Sequence, residues 1–160
     1  MTAIKDQILF LVDTFNGWAQ QQMGGTAIAV PDLEAAWSTI KSGPGRPQVL
    51  VLLDGEEPRV NFAGGEVTGM VERGFSVIIQ RGRGLSAERG ASLTDGSGGG
   101  RPLYDLVDEL VELVRSTMVG DEKTCYYKGF NQFGQEFGML SDAYRIRFAA
   151  GTLRNVYQQF

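Results

Sequence analysis

The residues able to do chemistry in this chain are few, and they are mainly carboxylates and arginines. None of the 160 residues is a histidine, which removes Ser-His and Cys-His nucleophilic pairs and every imidazole metal ligand. The single cysteine, Cys125, would need some other base to act as a nucleophile. Beside Tyr126 and Tyr127 it reads instead as a strand residue with a buried, inert thiol. Asp54, Glu56 and Glu57 follow an apolar run and are the acid–base candidates. Paired carboxylates perform general acid–base work, but acids after an Asp54-Gly55 turn read first as a solvated loop. Gly82-Arg-Gly84-Leu-Ser-Ala87 fits the looser G-x-G-x-x-A dinucleotide fingerprint. That fingerprint works only where a helix starts at the glycines and aims its N-terminus at a pyrophosphate. The residues that follow, Glu88 to Gly96, have no helical apolar period, so neither a cofactor nor a metal is expected. No G-x-x-x-x-G-K-[ST] phosphate loop occurs. The chain does not read as an enzyme.

Charge points the same way. The net formal charge is −4, which opposes sequence-independent binding to a phosphate backbone. The balance is uneven: between residues 73 and 101 there are five arginines (73, 81, 83, 89 and 101) against Glu88 and Asp95, a local balance of +3. Seven of the 22 glycines lie between Gly82 and Gly100, and so many glycines make ordering the 82–101 segment entropically costly. The segment reads either as a disordered insertion without consequence or as a flexible arm that orders against a neighbouring subunit. Its arginines Arg81, Arg83, Arg89 and Arg101 would then meet an acidic surface, for which Asp105, Asp108, Glu109 and Glu112 are the candidates. Those four acids share one face of a helix, and their bland alternative is a solvated stripe opposite the core.

The elements that must hold these groups are legible from periodicity. Ile4, Ile8, Leu11, Val12, Phe15 and Trp18 form a helical stripe that ends before Gly24-Gly25. Thr26 to Val30 suits a short strand. Asp32 can cap a second helix carrying Leu33, Ala36, Trp37 and Ile40. Val49 to Leu53 is an apolar run of strand length, read as buried on both faces and ended by the Asp54-Gly55 turn. Residues 61–69 read as loop, with a short strand around 60–63. Phe75, Val77 and Ile79 alternate with Ser76 and Gln80 in a half-buried strand. Leu103, Leu106, Val107, Leu110, Leu113, Val114 and Met118 then recur at helical spacing from about Pro102 to Met118, with Gly120 as the stop. Tyr144, Ile146 and Phe148 alternate with Arg145 and Arg147 in a last strand. One domain spanning residues 1–160 is expected. It is α+β, with a small mixed or antiparallel sheet packed by an N-terminal helix and one long amphipathic helix. No apolar run approaches the roughly 18 residues of a membrane span. The opening residues lack a signal-peptide core, and a lone cysteine demands no oxidising compartment.

This order of elements resembles the tail terminator proteins of long-tailed bacteriophages, also called tail completion or neck proteins. The likeness is carried by Glu72-Arg-Gly-Phe-Ser-Val-Ile-Ile79 and Asp142-Ala-Tyr-Arg-Ile-Arg-Phe148 and by the helix between them. It implies an α+β subunit of a ring, expected to be hexameric, that caps the tail tube and joins it to the head side. The implied partners are further copies of the chain, the tail tube protein and the neck or connector proteins. Neither specific nucleic-acid binding nor a membrane is implied. The implied location is the tail or neck of the virion, assembled in the host cytoplasm. The chain departs from the shorter members of the family in the segment from Thr26 to Ile40 and in the Gly-rich loop. Another head–tail connector or stopper is the nearest alternative reading, and a carboxylate-based enzyme or nucleotide-binding module a more distant one.

Overall fold

Helix α1 (Ile4–Met23) forms where the apolar stripe predicts it, and it ends where Gly24 turns left-handed at φ 64°. The N–H of Gly25 closes that end on the carbonyl of Ala19 at 3.1 Å, which satisfies an acceptor the helix leaves open. The structure is a computed structural model and describes residues 3–42, 47–60, 63–81, 101–121, 124–134 and 143–154. After α1 come β1 (Thr26–Ala29), α2 (Leu33–Ser42), β2 (Gln48–Val60), β3 (Glu66–Gln80), α3 (Leu103–Ser116), β4 (Tyr126–Phe133) and β5 (Ala143–Leu153). Asp32 caps α2 by accepting the N–H of Ala35 at 2.8 Å, as its position before the stripe suggested.

The strands make one mixed sheet in the order β1-β2-β3-β5-β4. β1 runs parallel to β2, with α2 as the crossover, and the other neighbours are antiparallel. The domain is α+β, as expected, with helices on both faces of the sheet. On one face α1 and α3 bury Leu11, Phe15, Leu106 and Leu110 against Val49, Val51, Phe75, Val77, Ile146 and Phe148. On the other, α2 sets Ala36, Trp37 and Ile40 on Leu50, Leu52, Ile78, Phe133 and Ala143. The run from Val49 to Leu52 is therefore buried on both faces, because alternate side chains feed the two cores.

Several boundaries differ from the sequence reading. Asp54-Gly55 is not a turn. β2 continues to Val60 through irregularities at Leu53/Gly55 and Pro58/Val60, because β3 begins at Glu66 and supplies a partner the whole way. An acidic stretch can stay in a ladder when one face of the sheet is open to water. Residues 66–69 consequently belong to a strand rather than a loop. α3 stops at Ser116, two residues short of Met118. Thr117 takes an extended backbone, and its hydroxyl bonds the carbonyl of Leu113 at 2.6 Å. Met118 is left 59% exposed outside the helical stripe. Gly120 is not the helix stop; a side chain there would collide with the carbonyl of Gly151 on β5. With 20 residues, α1 is the longest helix, ahead of α3 with 14.

Candidate functional site

α2 covers only one end of its face of the sheet. Beyond Leu52 and Ile78 no described helix covers that face, and the polar residues of β2, β3, β4 and β5 gather there in a half-open groove of about 350 Å³. At the covered end of the groove sits a closed triangle. The Ser76 hydroxyl donates to Oδ2 of Asp54 at 2.7 Å. Arg145 donates from Nη2 to Oδ1 of Asp54 at 3.0 Å and from Nε to the Ser76 hydroxyl at 2.9 Å. Ser76 is fully buried, and its hydroxyl is engaged by both Asp54 and Arg145. The triangle ties β2, β3 and β5 together.

The rest of the groove has two walls of opposite sign over a floor of small residues, Gly74 and Ala149. Glu57 and Glu72 stand directly opposite each other on β2 and β3 and form the acidic wall. Facing carboxylates destabilise a strand pair, and here Arg59 lies 3.6 Å from Glu72 to offset them. Lys128 and Arg147, on β4 and β5, form the basic wall. Both are exposed, and neither enters an ion pair among the described residues.

Glu56 faces the other way. The irregularity after Leu53 turns it to the side of α1, where Arg73 donates to it from Nε at 2.8 Å and Arg154 donates twice, at 2.8 and 2.9 Å. Arg73 is buried and reaches Oε1 of Gln7 at 2.9 Å. Gln7 in turn donates to the Thr152 hydroxyl at 3.0 Å and the Val119 carbonyl at 3.2 Å. The bonded Arg154 guanidinium, ahead of Arg73, holds the Glu56 carboxyl below its ordinary pKa against the opposing effect of burial. Asp54 and Glu56 thus lie on opposite faces of the sheet. A regular strand would put residues two apart on one face; the extra residue in β2 at Leu53/Gly55 separates them, and the acid–base pair their spacing allowed does not form.

The residues expected at subunit contacts are distributed as follows. Arg81 is buried and donates from Nε to the Arg101 carbonyl at 2.6 Å, so the two described residues on either side of positions 82–100 meet. Arg101 pairs with Glu109 and bonds Oε1 of Gln22 at 2.6 Å. Glu112 lies 3.4 Å from Arg115 on the same helix. Asp105 and Asp108 are exposed on α3 and enter no ion pair among the described residues. Arg83 and Arg89, and with them the Gly82 to Ala87 fingerprint, lie outside the described residues. The positive balance between residues 73 and 101 rests on Arg73, Arg81 and Arg101, all engaged within the fold. Residues 82–100 by themselves carry two arginines and two acids.

Cys125 is buried just before β4, and burial pushes its thiol up to about 11. A thiol with that pKa is almost wholly protonated near neutrality and is a poor nucleophile. Tyr144 is pushed up to about 12, first by burial and then by the Tyr104 hydroxyl 3.4 Å away. Its ring meets Tyr104 and Phe130 edge-on at 5.9 and 6.0 Å. Among the described residues there is no cluster of acids and thiols able to hold a metal ion, and no helix long and apolar enough to cross a membrane.

No protein-family model and no curated protein matches this chain. Sequence reasoning singled out Asp54 and Glu57 as acids and Arg145 and Arg147 as the arginines alternating with the apolar face of β5, but not the two-walled groove that they line together. Lys128 and Glu72 join it through strand pairing alone.

Proposed function

We propose that this chain is the structural subunit of a closed homo-oligomeric ring, of six copies, that caps the tail tube of a long-tailed bacteriophage and joins it to the neck. The observation that carries the reading is the use made of the polar groups. Asp54, Ser76 and Arg145 close on each other, Glu56 is held by Arg73 and Arg154, and the Cys125 thiol is buried. Charge left facing solvent, Lys128 and Arg147 on the sheet and Asp105 and Asp108 on α3, lies on the surface of the sheet-and-helix body, which suits a part that docks by charge complementarity. The two segments on which the family resemblance rests support the reading further. They lie side by side as β3 and β5 at the centre of the sheet, with Phe75 opposite Phe148 and Ile79 opposite Tyr144.

The test is genetic and structural. Loss of the gene from its phage should yield heads and tails that fail to join, and a reconstruction of the wild-type particle should place the protein on the tail axis as a ring. A protein lying off that axis, or infectious particles formed in its absence, would refute the assignment.

A further inference from the structure

We propose that the open groove on the sheet receives helix α3 of a second copy of this chain, with Lys128 and Arg147 of one subunit facing Asp105 and Asp108 of the next. The partner's identity as a second copy rests on the ring reading; the surfaces and their complementarity come from the fold.

Shape selects a helix. From β2 to β4 the sheet spans three strand intervals, roughly 14–15 Å at the usual spacing. That is wide enough for a helix of about 10–12 Å diameter. The same face already carries α2 at its covered end, and the small floor residues Gly74 and Ala149 leave room beside it. Two such grooves placed face to face would meet only at their rims, which argues against a two-fold pairing of this surface with itself.

Charge selects the side of the groove and the helix. Lys128 and Arg147 are like charges on adjacent strands, an arrangement that an acidic partner relieves. Asp105 and Asp108 stand on the solvent side of α3, whose apolar side packs on the opposite face of the sheet. The acidic wall, Glu57 and Glu72, repels those aspartates and so holds the incoming helix toward β4 and β5. Because donor and acceptor surfaces lie on opposite sides of one subunit, no subunit can satisfy itself and no two-fold pair uses both. The contact is head-to-tail, the kind that generates rings when its rotation closes.

The experiment compares three samples of the purified full-length protein by sedimentation and negative stain, at low and high salt. These are the wild type, the K128E/R147E variant and the D105K/D108K variant. All four side chains are exposed, so both variants should fold, and circular dichroism checks that they do. The wild type should associate into rings, more weakly at high salt. Each variant should dissociate at least roughly tenfold more readily. An equimolar mixture of the two variants should regain rings, because each reversed surface then meets its complement. Rings that persist in both variants, or a mixture that fails to recover, would overturn the interface while leaving the ring reading intact. A wild type that stays monomeric up to its solubility limit would overturn the interface alone, the ring reading being decided on the particle. A wild type that forms only two-fold dimers would likewise overturn the interface, because a head-to-tail contact does not close on two copies in that way.

Discussion

Replacing Glu56 with Gln tests whether the network under α1 is held by charge or by packing. Glu56 accepts a bond from the buried Arg73, and it also takes two bonds from Arg154. Arg154 is about 42% exposed, so its share is small, within the 0–1 kcal/mol usual for surface pairs. Arg73 is only 3% exposed. Taking the charge from its partner leaves a buried guanidinium poorly compensated, a change that costs about 3–5 kcal/mol when no other partner remains. Gln7 still accepts from Arg73, which lowers the expectation to about 2–4 kcal/mol at pH 7. The pH dependence fixes the cause. The folded-state pKa of Glu56 is lowered, so its contribution is fully present above the ordinary carboxylate range and is lost as pH falls through the folded value. The difference between wild type and Glu56→Gln, measured by urea denaturation, should therefore be large at pH 7 and shrink steadily toward pH 3. Adding Arg73→Met should recover part of the loss, since removing both members of a buried pair is milder than removing one. A penalty below about 0.5 kcal/mol at pH 7, or one that does not change with pH, would refute the electrostatic account.

Leu110 is fully buried between α3 and the sheet, so Leu110→Ala should lower unfolding free energy by about 2–5 kcal/mol, measured by chemical denaturation. Cys125 should react with a disulfide reagent far more slowly in the native protein than in the unfolded chain at pH 8, since its pKa of about 11 and its burial both withhold thiolate. Equal rates would show that the site is open. Cutting the 19 residues from Gly82 to Gly100 down to five should leave the subunit folded and slightly more stable, by about 1 kcal/mol of closure entropy, because Arg81 and Arg101 already meet. On the ring reading the same deletion should impair tail joining, and normal yields of infectious particles from the shortened gene would show the segment to be a passenger.

The sequence by itself determined those features that depend on local order. The period of three to four in α1, α2 and α3, the period of two in β3 and β5, the Asp32 cap and the Gly24 stop each follow from side chains acting on their own turn or strand. The burial of Leu110 and the two-sided burial of Val49 to Leu52 are local patterns too, since an apolar stripe or run must find cover somewhere. What only the tertiary structure decided was how far each element extends and which groups meet. β2 runs through Asp54, Gly55 and the acids beyond because β3 lies alongside, and a strand with a partner tolerates a composition that would otherwise read as a turn. The arginines between 73 and 101 looked like one basic arm. Three of them turn into the fold, because Glu56, the Arg101 carbonyl and Glu109 lie within reach only after the chain has closed. The groove likewise exists only after pairing, when β5 enters between β3 and β4 and sets Arg147 and Lys128 across from Glu57 and Glu72. Hydrogen bonding between strands distant in sequence carries no local signature in any one of them, and so the sequence could name Asp54, Glu57 and Arg147 but not the groove they share.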